Sequence, residues 1–123
     1  MKLMIVDDST IIRNRIARLS THALLSDWQI TIVGQACNGR EAIDLFIKTR
    51  PNIVTMDLTM PEMDGVECTQ RLTSIAPEIK ILVISALSDK TTALKALKNG
   101  ACGFLYKPFN DEQFITAIET LVS

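Results

Sequence analysis

Four short apolar runs in this chain each end on a polar residue. Leu3-Met4-Ile5-Val6 leads into Asp7-Asp8, and Ile53-Val54-Thr55-Met56 leads into Asp57. Ile81-Leu82-Val83-Ile84 leads into Ser85, and Phe104-Leu105-Tyr106 leads into Lys107. Runs of this length read as strands buried on both faces of a parallel sheet. A further strand is expected over Ile30–Ala36, followed by Asn38-Gly39 rather than by an acid. Between the strands, apolar residues recur at helical spacing: Ile12, Ile16 and Leu19; Ala42, Leu45 and Phe46; Cys68 and Leu72; Phe114, Ile118 and Leu121. Strand and helix patterns alternating five times imply an α/β fold, a doubly wound five-stranded parallel sheet with five flanking helices and right-handed crossovers. Ligands of such sheets bind outside the carboxyl ends of the strands, so the polar residues converge on the edge where a site belongs.

The element ends are punctuated. Pro51 and Pro77 stop the second and third helices. Asn99-Gly100 reads as a C-terminal cap, and Ser88-Asp89 and Asn110-Asp111 as N-caps of the fourth and fifth helices. The link from about Ser20 to Gln29, with Trp28, is the least regular stretch and is expected to cover the sheet edge. No repeat or linker divides the chain, so residues 1–123 read as one domain.

Composition excludes several function classes. A net charge of −1 leaves no global field for nucleic acid or an anionic membrane. No apolar stretch approaches the ~18 residues of a membrane span. Met1-Lys2 runs directly into a strand rather than a signal peptide, so a cytoplasmic protein is expected. Cys37, Cys68 and Cys102 are too scattered for a metal or redox motif and read as buried free thiols. His22, the single histidine, has no companions for a triad or zinc site and reads as a surface helix residue.

The acids carry the chemistry. Carboxylates brought within a few ångströms repel, and one pKa rises unless a cation sits among them. Such hard oxygen ligands suit Mg²⁺, which typically takes one or two carboxylates plus phosphate oxygens. Taken alone, Asp7-Asp8 is an N-cap, Ser85 a loop hydroxyl and Lys107 a solvated charge. None of those readings explains why Asp57, Ser85 and Lys107 reach the same edge.

The motifs Ile5-Val6-Asp7-Asp8-Ser9, Met56-Asp57-Leu58-Thr59-Met60-Pro61-Glu62-Met63-Asp64-Gly65, Ile84-Ser85-Ala86 and Tyr106-Lys107-Pro108-Phe109 stand in order at successive strand ends. In these the chain resembles the receiver domains of two-component response regulators over essentially its full length. The resemblance implies a flavodoxin-like strand order 2-1-3-4-5. It implies that Asp57 accepts a phosphoryl group from a histidine kinase or phosphotransfer protein. Mg²⁺ is then held by Asp8, Asp57 and the backbone carbonyl of Thr59, with Asp7 acting partly through water. Ser85, Ala86 and Lys107 face the phosphoryl oxygens, and the Lys107–Pro108 bond is cis. Glu62, Met63, Asp64 and Gly65 shape the loop and start the third helix without a chemical part.

The resemblance further implies a switch in which Ser85 swings toward the phosphoryl group and Phe104 turns into the vacated space. Phe104 has no hydroxyl to lock that turn, and Tyr106, two residues on, shares its face of the strand. Output passes to a downstream protein through the fourth helix (Asp89–Asn99), the fifth strand and the fifth helix, with Lys90, Lys95 and Lys98 as a basic edge. Thr59 and Leu87 flank the path of the water that removes the phosphoryl group. The apolar Leu87 is expected to impede it, so a Leu87→Asn variant that dephosphorylates at the native rate would refute this.

A chemotaxis-type single-domain regulator or a phosphorelay shuttle fits best, with the N-terminal receiver of a DNA-binding transcription regulator as the alternative. A phosphohydrolase working through an aspartyl phosphate ranks lower. Such enzymes place an acid two residues after the nucleophile, and here that residue is Thr59. A flavin binder is disfavoured because Asp7-Asp8 would repel a phosphate at the first strand.

Overall fold

Alternation along the chain becomes β1 (Lys2–Val6), α1 (Thr10–Ser20), β2 (Thr31–Ala36), α2 (Gly39–Thr49), β3 (Ile53–Asp57) and α3 (Gly65–Ile75), then β4 (Lys80–Ala86), α4 (Lys90–Lys98), β5 (Gly103–Lys107) and α5 (Asp111–Val122). The structure is a computed structural model that describes residues 1–60 and 62–123, apart from the side chain of Leu87. The strands form one parallel sheet in the order β2-β1-β3-β4-β5. Because that order makes β1 and β3 neighbours, Val6 pairs with Met56 and the residues after each strand emerge side by side.

The sheet buries both faces through the period-2 alternation of its side chains. Leu3 and Ile5 join Ile16, Leu19, Phe114 and Ile118 of α1 and α5 on one side. Met4, Val6, Val54 and Met56 join Ala42, Phe46, Cys68 and Leu72 of α2 and α3 on the other. At about 1.5–3 kcal/mol for each large apolar side chain removed from water, these two layers anchor the strand ends that carry the polar residues.

Helix entries are held by side-chain caps: Ser9 accepts from the Ile12 amide, Asn38 from Glu41 and Asp64 from Glu67. Asn110 and Gln113 complete a reciprocal capping box at α5. The fourth helix departs from expectation. Residues Leu87–Asp89 form a 3-10 turn, and Asp89 makes no side-chain cap bond among the described residues. His22 likewise is not within a helix. It caps a second 3-10 turn, Ala23–Trp28, accepting from the Leu24 amide through Nδ1. Leu25 and Trp28 of that turn pack onto the α1/α5 side of the sheet.

Burial on both faces holds for β1, β3 and β4 but not for β2 and β5, which lie at the sheet edges and are only partly covered. The same edge position corrects the reading of the cysteines. Cys68 inside α3 is buried, Cys37 just beyond β2 is half-buried, and Cys102 just before β5 is exposed.

Candidate functional site

The site grows from strand register. β1 continues one residue past its last ladder position, the Asp7 amide donating to the Ala36 carbonyl at 3.0 Å. That leaves Asp7 at the rim and buried, with Asp8 beside it exposed. Asp57 closes β3 opposite Ile84, so Ser85 stands one residue further along the neighbouring strand. Lys107 pairs with Ala86 at the end of β5.

Side chains then close the distance. Asp7, Asp8 and Asp57 each present a carboxylate oxygen within 4.8 Å of the others. The Lys107 side chain crosses above β4, its Nζ donating to Asp7 Oδ2 at 3.0 Å and lying 3.5 Å from Asp57 Oδ1. The Ser9 amide donates to Asp7 Oδ1 at 2.9 Å, and the Thr59 amide reaches Asp57 Oδ1 at 3.4 Å. The peptide bond Lys107–Pro108 is cis.

The electrostatics are those of an under-compensated acidic pocket. Burial, then the charge of Asp7, lift the Asp57 pKa to about 6, although Lys107 pulls the other way. Burial also works to lower the Lys107 pKa, but the hydrogen bond to Asp7 and the charges of Asp57 and Asp7 outweigh it and raise the value. Lys107 therefore stays an ammonium at neutral pH. One ammonium against three carboxylates leaves a deficit of positive charge that a divalent cation would fill. Three oxygens of this hardness, one of them on an exposed residue open to solvent, fit Mg²⁺, which keeps waters of its own. The Ser85 hydroxyl, 1% exposed, has no hydrogen-bond partner among the described residues. A buried hydroxyl left unpaired costs stability, and one at a site rim fits a donor waiting for a ligand oxygen.

Residues 3–119 match the sequence model of the response regulator receiver domain. The chain belongs to that family. It is 36% identical over 117 residues to the chemotaxis protein CheY of Thermotoga maritima, covering 95% of this chain and 93% of that protein. It is 35% identical over 119 residues to CheY of Listeria monocytogenes, covering 97% and 96% respectively. Among solved structures, the CheX–CheY–BeF3–Mg²⁺ complex from Borrelia burgdorferi contains a chain of 25% identity and TM-score 0.87, covering 100% of this chain and 90% of that one. The protein is thus a two-component receiver domain with CheY-like relatives, a signalling module with the doubly wound fold its strand pattern implies.

Within the receiver, Asp7, Asp8, Asp57 and Lys107 are drawn into direct proximity, with Ser85 on the adjoining strand end. Thr59 and Ala86 are exposed at the rim. Phe104 lies apart from the acids, 39% exposed on β5, with its ring edge-on to Tyr106 at 5.1 Å between centroids. Pro61 and the Leu87 side chain, including the water path assigned to the latter, lie outside the described residues.

Two contributors escape sequence inspection. Arg13 on α1 donates to the Asp7 carbonyl at 2.6 Å and helps set the β1 exit. Its only sequence signal is a basic residue one turn inside a capped helix. Gly65 proves more than a loop former. A Cβ built there falls 2.2 Å from the Asp57 carbonyl oxygen and 2.6 Å from the Leu58 Cα, both backbone atoms. The Gly65 amide donates to the Leu58 carbonyl at 2.9 Å, so α3 starts directly against the chain leaving Asp57. Gly65→Ala is expected to cost about 2 kcal/mol through this overpacking, measured by urea unfolding.

Proposed function

We propose that this receiver accepts a phosphoryl group on Asp57 and thereby switches a protein-binding surface. The observation that carries the reading is the meeting of three carboxylates within 4.8 Å at the carboxyl edge of the sheet, two of them, Asp7 and Asp57, bridged by Lys107. An Asp57 oxygen attacks the phosphorus of a phosphohistidine on a histidine kinase or phosphotransfer protein. The new O–P bond gives an acyl phosphate as the N–P bond breaks and the imidazole leaves. Asp8, Asp57 and the Thr59 carbonyl would hold Mg²⁺, with Asp7 acting through water, and the ion would supply charge that neutralises phosphoryl oxygens. Lys107 contributes a point charge to another oxygen, and the Ser85 hydroxyl, without a partner among the described residues, donates to a third at the rim by Ala86. Phosphoryl transfer asks little beyond such positioning and charge. No acid stands two residues beyond Asp57, which supports acceptance of the group rather than turnover of outside substrates.

The switch follows from differential contacts, since a group that interacts equally with both states shifts nothing. The phosphoryl group engages Ser85, and Phe104, now exposed, turns inward behind it. The face formed by α4, β5 and α5, with Leu94 58% exposed and Lys90, Lys95 and Lys98 in solvent, then meets a downstream protein. We place this work in the cytoplasm, with residues 1–123 acting as one receiver unit and touching neither nucleic acid nor membrane. Net charge of −1 supports the former, and no described helix is long and apolar enough to cross a membrane.

Acetyl phosphate with and without Mg²⁺, read by intact mass, tests the proposal. One Mg²⁺-dependent phosphoryl addition, absent in Asp57→Ala, is expected. No addition to the native protein from any donor would overturn it.

A further inference from the structure

We propose that Arg15, on α1, is the positioning residue that aims Lys107 at the site. The inference rests on the phosphoacceptor reading above and extends it to a residue that touches neither the phosphoryl group nor any of the carboxylates of Asp7, Asp8 and Asp57. Lys107 must reach across the end of β4 to lie 3.0 Å from Asp7 and 3.5 Å from Asp57. Its stem is flexible, so the place where the backbone releases it decides whether the ammonium arrives. That backbone enters the turn Pro108–Asn110 at once, and Arg15 holds this turn from outside the sheet.

Three contacts make the hold. Arg15 Nη2 donates to the Phe109 carbonyl at 2.6 Å and lies 3.2 Å from Asp111 Oδ1. Its guanidinium carbon sits 4.6 Å from the centre of the Phe109 ring. Phe109 is 4% exposed and stacks on Phe114 of α5, 5.9 Å between centroids at 29°. The ring is thus layered between the guanidinium and the core. The contacts are unequal. The Asp111 pair is largely solvated, with 29% and 61% of its side chains exposed, and contributes little. The short charge-assisted bond to a backbone carbonyl and the cation over a buried ring fix the turn. A guanidinium can serve both at once because it is planar and forked. An ammonium cannot.

Two readouts separate this role from general stabilisation. The first is acylation of Lys107 by an acetyl ester of N-hydroxysuccinimide, quantified by peptide mass against the exposed Lys48. The second is the rate of Mg²⁺-dependent phosphorylation by acetyl phosphate at saturating Mg²⁺. Arg15→Ala is expected to expose Lys107 to acylation several-fold and to slow phosphorylation by roughly tenfold. Arg15→Lys should fall between the two, and Asp111→Ala should match the native protein in both. Arg15→Ala unchanged in both readouts overturns the inference, as does slower phosphorylation with Lys107 acylation unchanged. If Arg15→Ala does not fold, Arg15→Lys decides by the same criteria. A native protein that takes up no phosphoryl group overturns the phosphoacceptor reading instead, and Lys107 acylation still decides the role of Arg15.

Discussion

Asp57→Asn is expected to make the metal-free protein more stable than the native one at pH 7.5, by about 2 kcal/mol. The reason lies in the pKa of about 6 that burial and the neighbouring Asp7 impose on Asp57. In an unfolded chain an aspartate titrates near 3.9, roughly two units lower. Between those values the unfolded chain has released the proton while the folded chain still holds it. Folding therefore takes up a proton, and stability falls as pH rises through this window, levelling off above pH 6 or so. Two units at 1.36 kcal/mol each give about 3 kcal/mol, and solvent at the mouth of the site reduces this to about 2. Asparagine keeps the shape without the charge, so urea unfolding in EDTA should show a native stability that declines from pH 4.5 to 7.5 and a variant without that decline. Mg²⁺ should restore the native protein above pH 6 by binding only the folded state, and should help the variant much less. Equal stabilities at pH 7.5 without metal would refute the account of Asp57 as a strained, under-compensated carboxylate.

The parts legible in the sequence are those set by local pattern. Leu3–Val6, Ile53–Met56 and Ile81–Ile84 are long enough and apolar enough to be central strands, and the residue after each is forced to the rim. The cap at Asn110 is local too, a short polar side chain reaching an amide within its own first turn. Strand order came from resemblance to receivers rather than from periodicity, and the half-exposed β5 and the open Cys102 are consequences of that order. Contacts that depend on how a helix is rotated about its axis were not legible. Arg13 on the Asp7 carbonyl and Arg15 on the Phe109 carbonyl lie two residues apart on α1 and serve opposite flanks of the site. Nor could the pattern reveal that Gly65 faces backbone at contact distance, because that requires the loop between β3 and α3 to be folded first.

Lys107→Met separates the two duties of the ammonium. Methionine keeps most of the apolar stem and removes the charge, leaving Asp7 and Asp57, 1% and 5% exposed, with no cation bonded to either carboxylate among the described residues. Breaking a buried pair by removing one partner commonly costs about 3–5 kcal/mol. The cost here is limited, because Asp57 already binds a proton near pH 6 and can neutralise itself instead. A loss of about 2 kcal/mol at pH 7.5 without metal is expected, shrinking toward pH 5 as protonation replaces the missing ammonium. Adding Mg²⁺ should recover much of that loss, since a cation among the carboxylates does for the fold what Lys107 did. It should not recover phosphorylation. An ammonium aimed at a transferring phosphoryl oxygen is a fixed charge in a partly dry site, and removing one such donor slows reactions by roughly a hundredfold. Acetyl phosphate labelling of the variant at saturating Mg²⁺ should therefore remain slow while its unfolding midpoint approaches the native value. Labelling at the native rate would mean that Lys107 serves the fold alone, as the counter-ion that lets three acids share one edge.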